Sequence, residues 1–214
     1  MTTRCFPCLL PFCMALFACG PTPPGGPAVG ITFDTAKKLD DFDLAASGDV
    51  RRSKWLVVDN DAGRGLAQID PQPDENRSAF FLYRPFSGRD VYVSTRFMII
   101  SGKIGQTAGA FIRFRSFDDY YAMRADALDN SVNLYRVANG SRELIGRMEV
   151  NVSRQAWHTL GIAARDDRLT VLFDGRELFV ATDRRFPGPP GKVGLWTETD
   201  GITIFEGLEI RSLD

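Results

Sequence analysis

Arginine, aspartate, asparagine and tyrosine recur at alternate positions through three neighbouring runs, 108–116, 120–126 and 132–138. With Asp118-Asp119 as a hairpin tip, Arg113 opposes Arg124, Ile112 opposes Ala125 and Phe114 opposes Met123. With Asp129-Asn130 as the next tip, Arg124 opposes Tyr135 and Asp126 opposes Asn133. Register fixes faces, because successive strand side chains point to opposite sides. One face then holds Ile112, Phe114, Met123, Ala125 and Leu134, a core. The other holds Arg113, Arg124, Asp126, Asn133 and Tyr135, with Arg115 and Tyr120 at its edge. Two opposed arginines repel and call for a carboxylate, an aromatic face or a bound anion; Asp126 is placed to be that carboxylate. Such side chains hydrogen-bond ligand hydroxyls, and aromatic faces pack on sugar rings. The same pattern is also that of a solvated polar face with surface ion pairs.

Other chemistries find little support. His158 is the single histidine, so a multi-histidine metal site is excluded. It follows Trp157 in an alternating run in which Leu160 and Ile162 share its side, which places it at the end of a core-facing row. Cys5, Cys8, Cys13 and Cys19 all lie in the first 19 residues, leaving the rest without disulfide, thiolate metal site or cysteine nucleophile. Glycines 102–109 lack the strand-to-helix setting of a phosphate loop. Net charge is −1, from 26 basic and 27 acidic residues, which gives no electrostatic case for nucleic acid. No catalytic residue, metal or cofactor is assigned.

The elements that must position these side chains are strands. From Ile31 onward, β-branched and aromatic runs alternate with turn signals. The runs are 54–58, 65–69, 78–83, 90–100, 108–116, 120–126, 132–138, 143–150, 157–165, 168–173, 177–181, 192–197 and 202–211. Asn139-Gly140 and Asp174-Gly175 suit type I′ hairpins, and Asp166-Asp167 suits a third tip. About a dozen strands at this spacing predict an all-β protein, a two-sheet antiparallel sandwich or a barrel. Trp55 and Trp196 read as core or rim aromatics, and one of Tyr120 and Tyr121 must point inward.

A more specific likeness rests on particular residues: Ala108-Gly109-Ala110-Phe111-Ile112-Arg113-Phe114 with Asp119-Tyr120-Tyr121, then Leu134-Tyr135-Arg136-Val137, Trp157-His158 and Leu169-Thr170-Val171, and finally Gly191-Lys192-Val193-Gly194-Leu195 and Phe205-Glu206-Gly207-Leu208. This order resembles the concanavalin A-like lectin/glucanase jelly roll, and is most similar to laminin-G-like and 3-keto-disaccharide hydrolase-type domains. The resemblance implies a jelly-roll sandwich with a ligand on its concave sheet. Glucanases of that superfamily carry Glu-x-Asp-x-x-Glu on a concave strand. Here Glu198-Thr199-Asp200 begins similarly, but position 203 is Thr, so that mechanism is rejected. Glu198 and Asp200 are expected as loop carboxylates, a ligand type that calcium also takes. The leading expectation is a carbohydrate- or glycoconjugate-binding domain. The alternatives are a sugar-processing enzyme of the 3-keto-disaccharide hydrolase type, and a structural or adhesive envelope protein with a protein partner.

The N-terminus reads as an address. Arg4 precedes an apolar stretch, 5–18, too short to span a bilayer. Leu16-Phe17-Ala18-Cys19 resembles a bacterial lipobox, and 20–27 is a Pro/Gly-rich tether. The expected organisation is signal peptide 1–18, lipidated Cys19 with tether 19–30, and domain 31–214. Membrane contact is then through the lipid anchor only, in the cell envelope, at the outer membrane of a Gram-negative host. An ordinary secretory signal with an incidental Cys19 is the competing reading. Cys19→Ala is expected to release the protein from the membrane fraction. A Cys19→Ala protein that stays with membranes, beside a wild type without acyl mass on Cys19, contradicts the lipoprotein expectation.

Overall fold

A computed structural model describes residues 26–34, 36–47, 53–70, 78–185 and 190–213. The signal, Cys19 and the first part of the tether lie outside the described residues. The described chain forms strands β1 (Ala28–Thr32), β2 (Phe42–Ser47), β3 (Trp55–Asn60), β4 (Gly63–Gln68) and β5 (Ser78–Gly88). They continue with β6 (Val91–Ser101), β7 (Thr107–Ser116), β8 (Asp119–Asp126), β9 (Ser131–Ala138) and β10 (Ser141–Glu149). The last are β11 (Trp157–Arg165), β12 (Arg168–Phe173), β13 (Arg176–Thr182), β14 (Gly191–Glu198) and β15 (Ile202–Ser212). One short 3-10 helix, Ala36–Asp41, precedes β2.

These strands make two antiparallel sheets. An eight-stranded sheet runs β13-β12-β11-β6-β15-β4-β3, with β1 also paired to β15. A seven-stranded sheet runs β10-β9-β8-β7-β14-β5-β2. Between them lies the main core. The first sheet contributes Val93, Phe97, Leu160, Ile162, Val171, Phe205 and Ile210, and the second contributes Phe81, Ala110, Ile112, Tyr121, Met123, Leu134 and Leu195. The turns match their chemistry. Asn139 and Gly140 have φ of 50° and 73°, and Asp174 and Gly175 have 47° and 74°, the doubly positive pattern of type I′. Two strands were not expected. β2 (FDLAAS) carries no alternating pattern; it is the edge strand of its sheet, paired only with β5. β1 begins at Ala28, inside the stretch expected as tether, because its backbone pairs with β15.

The register of the β7–β8 hairpin differs from the expected one. Its tip is Phe117-Asp118, since Ser116 pairs with Asp119, and a bulge separates that pair from Ile112 paired with Tyr121. Arg124 therefore opposes Gly109, not Arg113. The bulge has a backbone cause: Arg113 sits at φ 51°, a left-handed conformation that arginine seldom adopts. It moves Phe114 out of the core row and turns Arg113 toward the other sheet. There Arg113 is 1 % exposed. Its Nε donates to the Arg89 carbonyl at 2.7 Å. Its Nη2 donates to the Asp166 carbonyl at 2.8 Å and to Asp90 at 3.3 Å. The guanidinium also lies over the Tyr121 ring.

Arg113 thus ties the seven-stranded sheet to the β5–β6 and β11–β12 turns, and it leaves the expected ligand patch. The second hairpin differs by an even step, so faces are kept: Arg124 pairs with Asn133 and Asp126 with Ser131. Replacing Arg113 by Met removes three hydrogen bonds and leaves Asp90 with the Asp166 amide at 3.0 Å and Arg89 at 4.0 Å. The expected loss is about 3 kcal/mol in urea denaturation, and Arg113→Lys is not expected to restore it, because an ammonium lacks the planar fork.

Candidate functional site

The outer face of the seven-stranded sheet carries a second hydrophobic cluster. Phe80 of β5, Phe111 and Phe114 of β7, Tyr120 and Ala122 of β8, Val137 of β9 and Trp196 of β14 pack together there. The source is visible in the chain: Ala79-Phe80-Phe81-Leu82 and Ala110-Phe111-Ile112 are continuous apolar runs, the mark of strands covered on both faces. Phe80 and Phe111 have no exposure and Trp196 has 1 %. Trp196 stacks near-parallel on Phe80, and Tyr120 meets Phe80 edge-on. The Trp196 Nε1–H crosses β7 to donate to the Met123 carbonyl at 2.9 Å. It crosses at Gly109, where any Cβ would stand 2.0 Å from that nitrogen. Burial pushes the Tyr120 phenol up to about 12.

An ionic layer lies on this aromatic floor. Glu198, the last residue of β14, is buried, and each of its oxygens holds a guanidinium. Oε2 accepts from Arg124 Nη1 at 2.7 Å, and Oε1 accepts from Arg142 Nη1 at 2.5 Å. Arg124 also pairs with Asp126 at 3.1 Å. Burial pulls the Arg124 guanidinium down, but the charge and hydrogen bond of Glu198, with Tyr135 and Asp126, outweigh it and raise it overall. The Arg142 guanidinium lies 3.7 Å above the Tyr135 ring and 5.4 Å from that of Trp196. Arg147 reaches Asn133 Oδ1 at 3.4 Å and Asp129 at 3.7 Å.

Arg142 stands on β10 and Glu198 on β14, four strands along the sheet. On a flat sheet those strands lie about 19 Å apart, further than an arginine and a glutamate reach together. The sheet therefore curves over this face, and the face is concave.

Five of the seven residues expected at the site share it: Tyr120, Arg124, Asp126, Asn133 and Tyr135. Asn133 is fully buried, with its Nδ2 on Ser131 Oγ, and Asp126 also accepts the amides of Leu128 and Asp129 in its turn. Arg115 is taken up by Asp119 at the hairpin end. Arg113 faces the other sheet. Phe114, expected in the main core, lies in the aromatic floor. Four residues were missed. Arg142 was legible, because the Asn139-Gly140 turn sets it opposite Val137 on this face, whereas Arg147 reaches the face, opposite Asn133, only through a bulge between Leu144 and Gly146. Glu198 and Trp196 come from β14, whose place beside β7 is a long-range pairing that no local signal announces.

No family model and no curated protein matches the chain. Solved structures do. A carbohydrate-binding module, CBM66 from Bacillus subtilis, superposes with a TM-score of 0.62 at 21 % identity, covering 79 % of this chain and 95 % of that one. A Bacillus subtilis protein of unknown function with a galectin-like fold gives 0.65 at 11 % identity, covering 88 % and 97 %. The exoplasmic domain of VIP36, bound to calcium and Man3GlcNAc, gives 0.58 at 15 % identity, covering 82 % and 84 %. The fold is a concanavalin A-like jelly roll.

Within this jelly roll the remaining candidates have structural partners. His158 packs on Phe173. Its Nε2 accepts the Ser153 amide at 3.1 Å, so Nδ1–H donates to Asp174 at 2.8 Å. Asp200 does not join Glu198. Its carboxylate accepts the amides of Lys103, Ile104 and Gly105 at 2.8–3.0 Å, which fixes the β6–β7 loop against the β14–β15 turn. Burial raises the Asp200 carboxyl, but these backbone bonds outweigh it and hold it below the usual aspartate range. A depressed carboxyl stabilises the fold above its unfolded pKa, and that contribution is lost as pH falls through the folded value. The Lys103–Gly105 amides are therefore expected to exchange faster as pH falls below 4 relative to β7 amides. Asp200→Asn should remove this pH dependence.

Proposed function

We propose that the concave face binds carbohydrate, and that the chain is a binding module tethered at the cell envelope through Cys19. The observation that carries this reading is the group of Arg142, Tyr135 and Glu198 over the Trp196 floor: a curved surface of fixed hydrogen-bonding groups backed by rings. Sugar recognition needs directional donors and acceptors held rigid before the ligand arrives, since ordering long side chains on binding costs free energy. Here Glu198 holds Arg124 and Arg142, and Asn133 with Asp129 holds Arg147. Support also comes from the solved structures of the same fold, one a carbohydrate-binding module and one bound to Man3GlcNAc.

The same geometry speaks against glycoside hydrolysis on this face. Carboxylate catalysis needs one carboxyl to hold a transferable proton and a second to act as base or nucleophile. Both oxygens of Glu198 accept from guanidinium groups, and Asp126 is shared between Arg124 and two turn amides.

A glycan array probed with the purified protein tests the proposal. For any glycan retained, Arg142→Ala is expected to weaken binding about tenfold or more, the worth of one charge-assisted hydrogen bond. Its cost in stability should be about 1–2 kcal/mol, because Arg142 is part-exposed but the buried Glu198 is left with one guanidinium. Retention unchanged in both Arg142→Ala and Arg147→Ala proteins would exclude the concave face as the binding surface.

A further inference from the structure

We infer that the opposite, outer face of the eight-stranded sheet holds a second and separate site, for a small neutral sugar. Pairing aligns two rows of side chains across β1, β15, β6 and β11. One row is Gly30, Glu209, Ser94 and Gly161; the next is Thr32, Gly207, Arg96 and Thr159. Both point away from the core, since the intervening Leu208 and Leu160 are buried within it. Three of these eight positions are glycine, so the middle of the face is hollow where a sheet surface ordinarily stands up. The hollow is a groove of about 400 Å³ lined by these rows, Gly161 excepted, and by Glu206, within the range of small-molecule sites.

The charges of the groove are arranged in closed pairs. Arg96 donates to Glu206 at 2.6 Å. Glu209 accepts from Arg211 at 2.7 Å and from the Ser94 hydroxyl at 3.2 Å. Each carboxylate has its own guanidinium, so the groove offers fixed donors and acceptors without a net charge to satisfy. That suits an uncharged polyol and gives no advantage to an anion or a cation. At one end the Arg96 guanidinium lies 4.5 Å over the Trp157 ring, which fixes its position beside the groove. A volume of this size takes a mono- or disaccharide. The inference stands on this face alone and does not rest on the concave-face reading.

Gly30 makes the test clean. A Cβ built there meets nothing within 4 Å, so a side chain at position 30 starts in open space, and Gly30→Phe is placed to fill the groove. The measurement is the amide and indole NMR spectrum of the protein, with D-glucose, D-galactose, D-mannose, D-fructose and D-glucuronate added in turn. At least one neutral hexose is expected to move the amides of Gly30, Gly161 and Gly207 and the Trp157 indole resonance. Those shifts should vanish in Gly30→Phe and persist in Arg142→Ala, whose defect lies on the concave face. Three results would overturn the inference: no shift of these resonances with any neutral hexose, shifts that survive Gly30→Phe, or a stronger response to D-glucuronate than to its neutral counterpart.

Discussion

Glu198 ends β14 on the concave face of the seven-stranded sheet, and the two guanidinium groups on its carboxylate come from strands that are not its neighbours. Arg124 reaches it from β8 and Arg142 from the sheet edge at β10. A carboxylate so shared acts as a strut across the concavity. It draws the edge strand over the aromatic floor and holds both arginines away from solvent disorder. It also offsets the positive charge that two arginines bring to one small area. Asp126 supplies the second offset. The guanidinium over Tyr135 follows from the same strut, because Arg142 must cross that ring on its way to Glu198.

Beneath the strut, the floor depends on small residues as much as on large ones. Trp196 lies flat because Gly109 leaves its path across β7 open, and Phe111 fits because Gly194 leaves room for its ring. The bulge at Arg113 completes the arrangement. One residue in a left-handed conformation sends an arginine to bind two turns of the other sheet and sends Phe114 to the outer cluster. The two hydrophobic layers, one between the sheets and one outside, are thus partitioned by a single irregularity of β7.

Much of this was legible in the chain. Turn pairs such as Asn139-Gly140 and Asp174-Gly175 mark their hairpins through backbone sterics alone, and thirteen of the runs of alternating or apolar residues are strands. Tyr120, Arg124, Asp126, Asn133 and Tyr135 fall on one face as counted, because an error of two positions in register leaves parity intact. The bulge was not legible, since nothing in Arg113-Phe114-Arg115 announces a positive φ at an arginine. Its consequence was an exchange of roles: Phe114 was placed in the core and Arg113 on the polar face. Glu198 was read as a loop carboxylate because its partners are set by a pairing of β14 with β7 across about 80 residues of chain. Local pattern carries faces; it does not carry which strand lies beside which.

The central claim is that the Glu198 carboxylate holds the concave face through Arg142. A double-mutant cycle measures that interaction directly, using Arg142→Met, Glu198→Gln and the double variant in urea denaturation of the unliganded protein. Two groups joined by a short charge-assisted hydrogen bond are expected to couple by about 1 kcal/mol or more. The loss in the double variant would then be smaller than the sum of the two single losses by that amount. Strictly additive losses would mean that Arg142 and Glu198 act independently, and the concave face would need another cause for its shape.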